Sequence, residues 1–206
     1  LPFAWEWGWS RYYKSQPLSH LDTLIEKSIN TADQGNLLSW VTLRPPQERE
    51  EILQKLIPQT AKLDSFFFLI FSHWAADQLD IQETVFWHFY ARYRLRFDAL
   101  RCGAPDSVIN MDGLLALMPY GYIAVTVSRW PHLVPETIRR VLDEDAAYPA
   151  DNNPLRVCQI IYRIEGDNFV PADRRHWARI RHDLRLRTEL SLKNMEKAAQ
   201  PAPETP

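Results

Sequence analysis

Glycine is scarce in this chain, six residues in 206, so there are few places where backbone can approach a phosphate closely. No phosphate-binding glycine loop, no dinucleotide fingerprint and no GxSxG nucleophile turn occurs, and neither do HExxH or CxxC. Each absence removes a class of enzyme, and no catalytic, cofactor-binding or metal-binding residue set is expected. Long apolar runs are also missing. The longest, Phe66 to Phe71, is stopped by Ser72 and His73, far short of the roughly 20 residues a membrane span needs. Cysteine is limited to Cys102 and Cys158, too few for a disulfide scaffold. Both stand in apolar surroundings, which leads us to expect buried, reduced thiols and a reducing compartment. The formal charge of −2 argues neither for a protein that coats nucleic acid nor for an acidic tail.

What the chain has in quantity is aromatic side chains: nine Phe, eight Trp and eight Tyr, within a hydrophobic content of 46%. At this length that is enough for one substantial core. Near the start, Trp5, Trp7, Trp9, Tyr12 and Tyr13 are interleaved with Glu6, Arg11 and Lys14. Amphipathic aromatics beside basic residues flank membrane spans at the headgroup level. Residues 1–16 therefore read either as a juxtamembrane segment, with Trp5, Trp7 and Trp9 nearest the membrane, or as an aromatic strap over the core. They lack the continuous apolar stretch of a secretory signal peptide. The expected localisation is cytoplasmic, at the face of a membrane if the juxtamembrane reading is right.

Helical signals recur along residues 17–199, and the expected fold is mainly α, a compact bundle of about six to eight helices. Leu21, Leu24, Ile25 and Ile29 repeat at helical spacing. Leu37 to Leu43 is apolar and of uncertain type, and Pro46 suits the first position of a helix that Pro58 should bend or stop. Asp64 or Ser65 can cap a helix through Leu79 that is apolar on all sides, as befits the middle of a bundle. Asp80 with Glu83 opens a longer helix, whose stripe Ile81, Val85, Phe86, Phe89, Tyr90, Tyr93, Phe97 and Leu100 runs to a stop at Gly103. Val108 to Met118 reads as helical, and Tyr120 to Trp130 fits strand or helix. Pro135 opens a helix ending in Asp143, Glu144 and Asp145, acids that oppose the dipole and suggest a solvated or partner-facing end. Leu155 to Ile164 is either a helix started by Asn153 and Pro154 or half of a small hairpin with Phe169 and Val170. A long charged helix follows Pro171, and residues 200–206 read as a disordered tail.

Two clusters carry whatever chemistry the sequence offers. His73 and Asp77 share a helix face that His88 could approach, as metal ligands or an acid/base pair; the plainer reading is a buried histidine bonded to aspartate. His176 and His182 point apart. Between Asp173 and Arg187, six arginines against two aspartates give a local charge of +4. Arg174, Arg181 and Arg185 line one flank of that helix, and Arg175 and Arg179 project opposite with His182. Arginine's planar fork grips carboxylates and phosphates in pairs. An acidic protein partner, nucleic acid or anionic lipid would each suit it, as would the acidic excess elsewhere in the same fold. Protein is favoured over nucleic acid because the rest of the domain is acidic. On the long central helix, Trp87 falls off the apolar stripe with Arg94, Asp98 and Arg101. That makes it an interface anchor or a residue covered by another segment of the chain.

Pro171, Asp173, Arg174, Arg175 and Trp177 form P-x-D-R-R-x-W, which resembles a segment of the DotM family, helical cytoplasmic subunits of type IVB secretion coupling complexes. The resemblance covers seven of the 206 residues and assigns no family. It implies an anchored domain with an arginine-lined surface that receives acidic signals. Taken together, these features lead us to expect a non-enzymatic interaction or adaptor subunit of a larger assembly, such as a secretion or conjugation machine. Its partner would present an acidic surface or segment, with a membrane-anchored neighbour if the juxtamembrane reading holds. The alternative is nucleic-acid binding through the arginine-rich helix.

Overall fold

The computed structural model describes residues 16–31, 34–103, 128–165 and 172–199. The segment holding Trp5, Trp7 and Trp9, the tail 200–206, Val108 to Met118 and the Phe169–Val170 half of the hairpin lie outside the described residues. Among those described there are eight α-helices and no strand: α1 (Leu21–Thr31), α2 (Gly35–Thr42), α3 (Arg49–Leu56), α4 (Phe66–Asp77), α5 (Ile81–Arg101), α6 (Val134–Ala147), α7 (Leu155–Glu165) and α8 (Trp177–Ala199). The protein is a mainly α, multi-helix bundle. No described helix is long and apolar enough to cross a membrane.

The centre is the α4–α5 hairpin. Asp64 opens α4 by accepting the Phe66 amide at 3.0 Å, and its own amide donates to Gln34 Oε1 at 2.7 Å, which ties the start of α2 to the start of α4. Phe66 through Ser72 and Trp74 are all buried, as an all-apolar helix requires. The turn after α4 places Leu79 in the left-handed region, φ 60°, and leaves its side chain 82% exposed. Asp80 then caps α5 by accepting the Glu83 amide at 3.0 Å, and Gly103, φ 79°, ends that helix where positive φ is needed.

Helix α5 departs from the one-sided stripe that its sequence suggests. Fourteen of its 21 residues are buried, because α4 covers one side while α6, α7 and α8 pack around the others. Trp87 is therefore not an outward anchor. It stacks on Phe68 at 6.0 Å and meets Phe71 edge-on at 5.2 Å.

Residues 155–165 are helical. Asn153 Oδ1 accepts the Leu155 amide at 3.0 Å, and Val157 and Ile161, four apart, enter the core together. Helical spacing outweighs the β-branched composition here: a strand would carry Gln159 on the same face as Val157 and Ile161, yet Gln159 is exposed while those two are buried. The cysteines correct the expectation of reduced thiols: Cys102, in the cap of α5, is bonded to Cys158 on α7, with Cα atoms 5.3 Å apart and a sequence separation of 56. Closing a loop of that size stabilises a fold by about 4 kcal/mol through the lost freedom of the unfolded chain.

Candidate binding surface

The arginines divide into two populations. Arg94 and Arg101, three and a half helical turns into α5 and at its end, are fully buried. Arg94 donates through Nη1 to Thr60 O and Tyr90 Oη, both at 3.1 Å, and through Nη2 to Leu63 O at 3.3 Å and Asn152 Oδ1 at 3.2 Å. Arg101 pairs with buried Asp98, donates to Asn152 O at 2.7 Å and Oδ1 at 2.9 Å, and lies over Trp177 at 4.2 Å and Phe97 at 4.6 Å. Ser65 Oγ also donates to Asp98. This centre fastens the loop between α6 and α7 to α5, so Arg94 and Arg101 are structural cross-links, not outward contacts. The polar face expected of α5 assumes one buried stripe; in a helix surrounded by neighbours, polar residues are buried and must find partners inside.

The α8 arginines divide again. Arg181 Nη2 donates to Ala150 O at 2.6 Å, and its Nε lies 3.9 Å from the buried carboxylate of Asp145. Arg185 donates to Leu142 O at 2.7 Å and to Glu189 at 3.0 Å. Arg185 thus reaches a carbonyl in the later turns of α6, toward the negative pole of its dipole, and Arg181 reaches one in the loop that follows. The expected solvated end of α6 holds for Asp143, which is exposed, and for Glu144, which is half-buried, while Asp145 turns inward. Asp145 is buried, accepts Tyr93 Oη at 3.1 Å and has its pKa raised by burial, an effect that Arg181 partly offsets. Arg174 likewise pairs with Asp151 and lies over Trp177 at 5.2 Å. The three arginines of that flank thus have intrachain acids, supplied by distant segments and by the next turn.

The opposite flank is different. Arg175 and Arg179 have side chains 86% and 83% exposed, the first paired with Asp173 at 2.7 Å and the second 3.9 Å from Asp183. The Asp173 carboxyl is held below its usual range by hydrogen bonds from Arg175. Continuing from Arg179 in steps of three and four residues come His182, Leu186, Leu190 and Lys193, all exposed, with Leu186 and Leu190 at 48% and 52%. Sequence reading of the arginines alone missed the two leucines, although their spacing from Arg179 marked them.

The histidine cluster is not assembled as a site. His73 lies 3.8 Å from Asp77, whose carboxylate takes Arg49 at 2.7 Å. His88 is buried, and that burial pushes its pKa down to about 4, leaving it neutral at ordinary pH. Among the described residues no group of three or more His, Cys, Asp or Glu could hold a metal ion. In comparisons with known proteins, no family model, no curated protein and no solved structure matches the chain.

Proposed function

We propose that the chain is a non-enzymatic interaction subunit that docks an acidic protein segment on the outward face of α8. The observation that carries this reading is the exposed line Arg179, His182, Leu186, Leu190 and Lys193, where two bare leucines stand between cations. Exposed ion pairs such as Arg179 with Asp183 hold little free energy, so a partner's carboxylates can replace the internal ones at small cost. The leucines supply the apolar area that an electrostatic contact alone lacks. Arg181 and Arg185 drop out of this surface because α6 and the following loop occupy them, and Arg94, Arg101 and Trp87 drop out because they are buried. The loss of so many cations also weakens the nucleic-acid alternative.

A photo-crosslinking residue at Leu186, compared with one at Gln54 on α3, tests the proposal in the native source. Crosslinks to one protein species at Leu186 alone, lost when Arg179 and Lys193 become Glu, are the expected result. Equal capture at both positions counts against the surface, and crosslinked nucleic acid with steep salt dependence would favour the alternative.

A further inference from the structure

We infer that this protein matures and works in an oxidising compartment, where the bond between Cys102 and Cys158 is a standing clasp that holds α7 on the end of α5. The expected reducing compartment rested on two free thiols, and the chain's only two cysteines are joined to each other. In the cytosol, the thiol-reducing systems keep such pairs open.

The pair lacks the build of a redox-active or switching disulfide. Those have cysteines close in sequence, with the attacking sulfur exposed to solvent. Here the partners have a sequence separation of 56, and Cys102 is fully buried at the C-terminal end of α5, where the helix dipole disfavours a thiolate. Its neighbours Asp98, Arg101 and Asn152 form the buried polar centre that fastens the same α6–α7 loop. The clasp and the polar centre hold one junction from two sides.

The geometry also orders the bond's formation. Cys158 is half-buried in the first turn of α7, whose N-terminal pole favours its thiolate. Its sulfur attacks a sulfur of a protein disulfide donor, forming a mixed disulfide and releasing one donor thiolate. The Cys102 thiolate then attacks the Cys158 sulfur, and the donor leaves as a dithiol. Two electrons and two protons pass from the pair to the donor.

The decisive measurement is on the full chain isolated from its native source, unfolded in denaturant with iodoacetamide and without reductant, and mapped by mass spectrometry. The expected result is no alkylation at either position and one linked peptide pair containing Cys102 and Cys158. Alkylation of both cysteines in the unreduced protein would overturn the inference. Reduction of the purified chain should lower Tm by on the order of 10 °C and speed amide exchange over residues 155–161. A shift below about 2 °C would show that the bond is not a clasp. The variant C102A/C158A should reproduce the reduced protein, either as the same loss of Tm or as failure to fold; a variant as stable as the oxidised chain would sink the clasp.

Discussion

Arg101 on α5 and Arg179 on α8 carry the same guanidinium to opposite ends. Arg101 is fully buried, paired with Asp98 and sandwiched by Phe97 and Trp177, whereas Arg179 is 83% exposed and only loosely near Asp183. The difference lies in what the rest of the fold demands, not in the residue. A charge inside a bundle must be matched group by group or it destabilises, so Arg101 is fixed in place by its partners. A charge on the surface keeps its water and stays available to a second molecule. The same chemistry therefore serves folding in one region and is free for binding in the other.

The contrast is sharpest if one partner of the buried centre is removed. Asp98→Ala leaves Arg101 without its buried carboxylate and strands Ser65 and Asn152 as well, and should cost about 3 to 5 kcal/mol. Arg101→Met, leaving Asp98 buried and unpaired, should cost a similar amount. Urea denaturation of both variants checks this. Losses below about 1 kcal/mol would mean that water reaches the centre, and the distinction between the two arginine populations would fail.

How much of this was legible in the sequence depends on the range of the interaction. The caps at Asp80 and Gly103 and the all-apolar α4 were readable because their causes lie within one helical turn. The burial of Trp87, Arg94 and Arg101 was not, because a stripe drawn from one helix's own residues cannot show how many neighbours surround it. Arg181 and Arg185 were misjudged for another reason: their main acceptors are the backbone carbonyls of Ala150 and Leu142, which carry no signature in sequence. The cysteine pair was hidden by 56 residues of separation, and α7 by a composition that favours strand while its spacing favours helix.

A second test concerns buried titratable groups around the same core. Burial raises Asp64 from an ordinary 3.8 to about 6, and lowers His88 from 6.5 to about 4. The folded state therefore binds the Asp64 proton more tightly, and that contribution to stability is present below about 3.8 and lost as pH rises through about 6. For His88 the sign is reversed: its contribution is present above 6.5 and lost as pH falls through about 4. The two slopes oppose each other in one window. Asp64→Asn keeps an acceptor for the Phe66 amide, and it should gain stability relative to the native chain as pH rises from about 4 to about 6, by about 2 to 3 kcal/mol. His88→Gln should show the opposite trend, and parallel curves for either variant would count against these assignments.

Intermediate effects belong to the arginines that close α8 on α6. Arg185→Ala removes a charge-assisted bond to Leu142 O from a half-buried site and should cost about 1 to 2 kcal/mol, and Arg181→Ala a similar amount through Ala150 O and Asp145. Thermal melts that place both variants within experimental error of the native chain would return these arginines to the docking surface. A smaller effect of opposite sign is expected at the α4–α5 turn. Leu79 holds φ 60° with its side chain 82% exposed, so Leu79→Gly relieves the left-handed strain and gives up almost no packing. After the flexibility that glycine adds to the unfolded chain, the net gain should be about 0.5 kcal/mol.

The smallest effect on stability, and the largest on binding, is predicted for the exposed face of α8. Arg179→Glu breaks a pairing with Asp183 that spans 3.9 Å in water, and it touches no other element of the core. Stability should change by less than about 0.5 kcal/mol, the range of surface substitutions. Leu186→Ser removes an apolar side chain already half exposed, so its folding cost should be similarly small. Against a partner, the two changes act on different parts of one contact. Reversal of Arg179 opposes acidic groups directly and should slow association in a salt-dependent way, whereas loss of Leu186 removes desolvated apolar area and should speed dissociation at any salt. Kinetics measured by surface plasmon resonance at two salt concentrations with the crosslinked partner separate the two. If both variants bind like the native chain, the outward face of α8 is only solvated surface.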